Sequence, residues 1–172
     1  MKHLCIFVLV LLTTACGWHL RGTVTLPSTI ERLYLSADDP YSPMVAELQQ
    51  RLIASGVELA PAQVGAPYTL AITEQLQDSR VAGVGVDSLA SSYEVTLEVR
   101  YDILGLLGEP IAEDLSSIVT RSYESDVVAA GAGAREEAML LREMRAELAQ
   151  QILRRLQAEI NAAEAAQPTA TD

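Results

Sequence analysis

Near the middle of the chain, residues Ser92 to Ile103 alternate without a break. Tyr93, Val95, Leu97, Val99, Tyr101 and Ile103 fall on one side, and Ser92, Glu94, Thr96, Glu98, Arg100 and Asp102 on the other. A period of two sends successive side chains to opposite faces of a strand, here over roughly 36 Å. Such a strand belongs in a sheet with one dry and one wet face, and the dry face must be covered by other elements.

The flanking sequence supplies both the remaining strands and the cover. Leu33 to Leu35 reads as a first strand, ending at the turn-rich Ser36-Ala37-Asp38-Asp39-Pro40. Ser42 then caps a helix, Pro43 fits its first turn, Val45, Leu48 and Leu52 share one face, and Gly56 closes it. In the next strand Tyr68, Leu70, Ile72 and Leu76 are assigned to the buried face, and Thr69, Ala71, Thr73 and Gln75 to the wet one. Gly105 to Pro110 turn the chain into a fourth strand, about Ala112 to Tyr123, whose weaker pattern suits an edge. A second helix is expected from near Ala134 for about 28 residues, with Leu141, Met144, Leu148, Ile152, Leu156 and Ile160 at spacings of three and four. The order β-α-β-β-β-α predicts an α+β, two-layer domain: a mixed four-stranded sheet with two helices on one face.

The start of the chain is of another kind. Met1-Lys2-His3 precedes an uncharged apolar run from Leu4 to Leu12 and the small residues Thr13, Thr14 and Ala15, the layout of a signal peptide. The run falls far short of the roughly 20 residues that cross a bilayer as a helix. Cys16 follows where a bacterial lipobox places its acylated cysteine, although Thr13 stands where Leu is usual. The alternative, a secretory peptide cut after Ala15, would leave a lone free thiol in an oxidising compartment. The expected organisation is therefore a signal peptide over 1–15, a lipid-anchored domain over 16–161, and a disordered tail over 162–172. Cys5 leaves with the leader and Cys16 is acylated, so stability must come from a packed core, with which 49% hydrophobic residues are consistent. The leader also removes the only lysine, leaving 11 arginines against 23 carboxylates. That balance argues against nucleic acid as a partner.

From the anchor onward, Cys16-Gly17-Trp18-His19-Leu20-Arg21-Gly22 resembles the opening of the LPS-assembly lipoprotein family, LptE. Leu26-Pro27-Ser28-Thr29, Gly56-Val57-Glu58-Leu59, Tyr93 and Arg142-Glu143-Met144 extend the likeness over most of the chain after the leader. The resemblance implies a non-enzymatic lipoprotein that plugs an outer-membrane β-barrel, LptD, and assists insertion of lipopolysaccharide into the outer leaflet. Gly17 after the cysteine fits sorting to the outer membrane, with the domain on the periplasmic side. A second reading is an auxiliary periplasmic lipoprotein, a scaffold or carrier in a lipid-transport machine without a barrel; the Cys16–Gly22 opening favours the first.

Catalytic and cofactor signatures are missing from the sequence. Its two histidines are His3, in the leader, and His19, beside the anchor. A serine triad in the folded domain would have no base, and no Cys-His metal spacing appears. Gly83 and Gly85 lack the following helix that a phosphate loop needs, so Asp78 to Ala90 reads as a hairpin loop. For the phosphates of lipopolysaccharide, the candidate contacts are Arg135, at an expected helix start after Gly131-Ala132-Gly133-Ala134, Arg142 two turns on, and Arg80 approaching from the hairpin loop. The competing reading leaves Arg135 as a solvated charge, because Glu136 and Glu137 already satisfy the helix start. The anchor itself is directly testable: intact mass should show Cys16 as first residue bearing three acyl chains, and Cys16→Ala should accumulate unprocessed or mislocalised precursor. An unmodified first residue would contradict the assignment.

Overall fold

A computed structural model of the chain describes residues 30–84, 90–124 and 130–166. The elements are β1 (Arg32–Ala37), α1 (Pro43–Ala54), β2 (Glu58–Leu59), β3 (Tyr68–Val84), β4 (Ala90–Leu104), β5 (Pro110–Glu124) and α2 (Ala130–Ala166). They form an α+β domain with a mixed sheet in the order β2-β1-β3-β4-β5. β1 pairs in parallel with β2 and β3, and β4 pairs antiparallel with β3 and β5. Among the described residues the sheet therefore has five strands, not four. The additional β2 is a two-residue pairing of Glu58-Leu59 with Arg32-Leu33, too short to show a period.

The alternation that dominates the sequence organises the core. Val95, Leu97, Val99, Tyr101 and Ile103 of β4 are buried, together with Leu33 of β1, Leu70 and Ile72 of β3, and Val119 of β5. Both helices lie over this face, since their buried residues join the same core. α1 contributes Met44, Val45, Leu48 and Leu52. Its Ser42 cap accepts the Val45 amide at 3.2 Å through Oγ. At its other end, Gly56 (φ +87°) donates to the Ile53 carbonyl and Val57 to that of Leu52. That pair of bonds is the Schellman closure that a left-handed glycine permits.

α2 buries Met144, Leu148, Ala149, Ile152, Leu153, Leu156 and Ile160. The helix is longer than its apolar repeat indicates, 37 residues from Ala130 to Ala166, or about 55 Å. It takes in Gly131-Ala132-Gly133, which the sequence places before the helix start, and it continues through Ala162 to Ala166, which the sequence places in the tail. Alanine is the best helix former and continues a helix without an apolar stripe. The rest of the tail lies outside the described residues.

Two further corrections concern β3. Asp78 to Val84, read as loop, are strand paired with Ala90 to Thr96, and residues 85–89 lie outside the described residues. The period of β3 also breaks at Thr73, where a β-bulge separates the Ile72↔Tyr101 pair from Glu74↔Arg100. One extra residue moves every later side chain to the opposite face. Gln75 and Gln77, opposite Val99 and Leu97, therefore share the helix side, while Leu76, opposite Glu98, turns outward and is 43% exposed. Gln75 Oε1 then accepts a 2.8 Å hydrogen bond from the Ser42 hydroxyl, which ties the bulge to the cap of α1.

The bulge yields a stability contrast between two leucines that an unbroken period would treat alike. Leu70→Ala should cost about 2–5 kcal/mol in denaturant unfolding, whereas Leu76→Ala should cost less than about 1 kcal/mol. Equal losses would place Leu76 in the core and contradict the register.

Candidate partner-binding surface

With both helices on one side, the other side of the sheet is left without a covering element among the described residues. The register fixes its composition. Across β3, β4 and β5 run the rows Glu74-Arg100-Ser116, Leu76-Glu98-Ile118, Asp78-Thr96-Thr120 and Arg80-Glu94-Ser122. Arg100 reaches Glu74 at 2.9 Å and Glu98 at 3.0 Å. The Glu98 hydrogen bond, followed by the charges of Glu74 and Glu98, holds its pKa above the ordinary guanidinium value. The Thr96 and Thr120 hydroxyls meet at 3.1 Å, and Arg80 is paired with Glu94. Leu76 and Ile118 stand exposed on either side of Glu98. The result is a polar, acidic surface with two isolated aliphatic contacts, built on rigid strands.

On the helix side, the far end of the sheet carries a Tyr93–Tyr123 stack with ring centroids 5.5 Å apart. Burial first, and then the charge of Glu137 on α2, raises the Tyr123 pKa. Arg121 of β5 points the same way and pairs with Glu147 of α2. That contact was not legible in the sequence, because the β5 pattern does not separate inward from outward positions. Between α1, α2 and β3 lies an open cleft of about 180 Å³. Met44, Leu97, Val99 and Leu148 make it apolar, and Gln75, Gln77 and Arg145 make it wet.

The three candidate arginines do not converge. Arg80 belongs to the uncovered face, whereas Arg135 and Arg142 lie on α2, over the opposite face. Arg135 and Arg142 are both exposed and, seven residues apart, lie on nearly the same side of the helix. Because α2 begins at Ala130, Arg135 sits in its second turn, beyond the amides of the helix start whose attraction for anions fades within the first turn. Cys16, His3 and His19 lie outside the described residues, and no cluster of groups that could hold a metal ion occurs among the described ones.

This architecture and the order of its elements can be set against known proteins. The sequence model of the LptE family, described as lipopolysaccharide-assembly, matches residues 30–156. The chain belongs to the LptE family. It is 30% identical over 148 residues to the LPS-assembly lipoprotein LptE of Pectobacterium atrosepticum, covering 86% of this chain and 79% of that one. It is 29% identical over 162 residues to the protein of that name from Yersinia enterocolitica, covering 91% and 77%. Among solved structures, lipoprotein B from Nitrosomonas europaea matches with a TM-score of 0.69 at 24% identity, over 85% of this chain and 94% of that one. Rare lipoprotein B from Shewanella oneidensis matches with a TM-score of 0.69 at 22% identity, over 77% and 98%. These two likenesses speak to the fold. The LptE family is one of assembly lipoproteins and is not a known class of enzyme.

The end of the domain where β1 enters has its own link between layers. The Tyr68 hydroxyl, at the start of β3, donates to Glu164 near the end of α2 at 2.8 Å. Burial, then the hydrogen bond and charge of Glu164, push the Tyr68 pKa from 10.0 up to about 12. The folded state thus holds this proton more tightly than the unfolded chain, so the contribution is complete below pH 10 and is lost as pH rises toward 12. Stability should fall across that window, and Tyr68→Phe should flatten the fall; an unchanged slope would exclude the contact.

Proposed function

We propose that the protein is an acylated outer-membrane lipoprotein that plugs and assists the lipopolysaccharide-export barrel LptD and takes part in assembly of lipopolysaccharide at the cell surface. The observation that carries this reading is membership of the LptE family over residues 30–156, with relatives named LPS-assembly lipoproteins. The shape is suited to the role. A sheet and helix about 50 Å long, with a polar uncovered face, fit a barrel lumen, which is lined by polar side chains and water. The protein works by binding rather than by catalysing a reaction. The signal peptide ends at Ala15, Cys16 carries the lipid, and the domain faces the periplasm.

Affinity purification from detergent-solubilised membranes, with mass spectrometry of what accompanies the protein, tests the reading. LptD and lipopolysaccharide should co-purify; recovery with other lipid-transport proteins and no barrel would overturn it in favour of the scaffold or carrier. For the lipopolysaccharide phosphates, the two exposed guanidinia of Arg135 and Arg142 are the proposed contacts, with Arg80 engaged instead by Glu94. Arg135→Glu should weaken lipopolysaccharide binding in a salt-dependent manner and leave thermal stability and LptD association intact. Unchanged affinity and unchanged salt dependence would remove Arg135 from the site.

A further inference from the structure

Two of the most exposed aliphatic side chains of the domain stand at the tips of adjoining turns. Gly108 donates to the Gly105 carbonyl at 3.1 Å, which makes Leu106 and Leu107 the central residues of a β-turn between β4 and β5. Gly105 donates to the Glu109 carbonyl at 2.8 Å, and the Leu107 amide to the Glu109 carboxylate at 2.9 Å. The turn is thereby closed on its own polar groups, leaving Leu106 56% and Leu107 91% exposed. Such positions usually hold Asn, Asp, Ser or Gly. In the loop between β2 and β3, Ala66 donates to the Gln63 carbonyl at 3.0 Å, and Gly65 has φ +84°. Val64 occupies the remaining central position and is 92% exposed. The turns abut, since Gln63 Nε2 lies 3.4 Å from where a Cβ on Gly108 would stand.

Both turns lie at one end of the sheet. Leu33 pairs with Tyr68, and Thr69 with Leu104, so the start of β1, the start of β3 and the end of β4 are level. The chain enters the fold at this end through Ile30, which is buried. Cys16, 14 residues upstream, lies within an extended reach of about 50 Å. The opposite end of the hairpin stands about 50 Å further away along β3. Of the carboxylates near this end, Glu31 is exposed, whereas Glu109 is engaged with the turn, Glu58 with Arg32 at 3.3 Å, and Glu164 with Tyr68. The cost of bringing these three paired carboxylates toward lipid is reduced accordingly.

We propose that Val64, Leu106 and Leu107 form a second membrane contact, inserting into the leaflet that holds the acylated N-terminus when the lipoprotein is not bound to its barrel. The proposal rests on the lipid-anchor reading of Cys16. The acyl chains hold the N-terminus at the membrane but do not by themselves orient the domain, whereas apolar side chains at the interface add to anchorage and fix an orientation. The domain then stands with its far end, where Tyr93 and Tyr123 stack, directed into the periplasm.

The test uses the full acylated chain in vesicles of phosphatidylethanolamine and phosphatidylglycerol containing a brominated lipid. Cys5 is removed and Cys16 is blocked, so an introduced thiol is unique. An environment-sensitive fluorophore is placed in turn at Val64→Cys, Leu107→Cys and, as a control midway along β3, Asp78→Cys. Labels at 64 and 107 should show blue-shifted emission and quenching, and the label at 78 neither. Adding Leu106→Ser to the Val64→Cys protein should reduce the quenching without lowering its melting temperature. Labels at 64 and 107 that behave like the one at 78, whether all solvated or all quenched, would overturn the membrane contact while leaving the anchor in place. An intact mass without acyl chains would remove the anchor, and this proposal with it.

Discussion

The structure depends on the apolar face of β4, which has to be kept from water along its length. Five inward side chains from Val95 to Ile103 leave no wet position between them, so a short helix would leave part of the seam exposed. α2 meets this demand by running the length of the hairpin, burying residues from Met144 to Ile160 against it. α1 covers what remains beside β1 and the start of β3. Its caps at Ser42 and Gly56 satisfy its end groups locally, so that only its apolar stripe has to be matched to the sheet. A single core then forms without a disulfide or metal site among the described residues.

Beneath α1 and α2, the bulge at Thr73 changes which side chains of β3 face the helices. Before it, Leu70 and Ile72 belong to the core; after it, the inward positions of β3 hold Gln75 and Gln77. A glutamine under a helix needs a partner, and Gln75 has one in the Ser42 hydroxyl. That hydroxyl also accepts the Val45 amide, so one atom joins the helix cap, the bulge and the first turn of α1. The cleft beside Gln77 follows from the same shift. Continued alternation would have directed Leu76 into this space, and the extra residue places it on the uncovered face, beside Glu98.

How much of this was legible depends on whether a residue's environment is set by its own segment. The faces of β4, the stripe of α1 and the repeat from Met144 to Ile160 were readable because each pattern persists for several periods. β2 was not, because two residues carry no period, and Leu76 was assigned to the wrong side because a bulge leaves the composition of a strand unchanged. The ends of α2 were misjudged for a related reason: an apolar stripe marks where a helix packs, not where it stops. Among the candidate site residues, the sequence placed Arg135 and Arg142 two turns apart on one helix. It could not show that Arg80 lies across the sheet from them, because sidedness in β3 is set by pairing with β4.

The division of charge between the two sides limits where anionic lipid can approach. Across β3, β4 and β5 on the uncovered face, Glu74, Asp78, Glu94, Glu98, Asp102 and Glu124 stand against Arg80 and Arg100. Both guanidinia are committed to those carboxylates, so they neutralise their neighbours and leave an excess of negative charge. Exposed pairs of this kind contribute little to stability, and their consequence is the sign of the surface. α2 is close to balanced, with five arginines against six glutamates, and Arg135 and Arg142 are exposed on it. The uncovered face is therefore the more acidic of the two, and α2 the nearer to charge balance. The aliphatic turns at the entry end offer contacts that carry no charge at all. Packing decides which faces of the sheet and helices remain free, and the charges on those faces decide which partners each can accept.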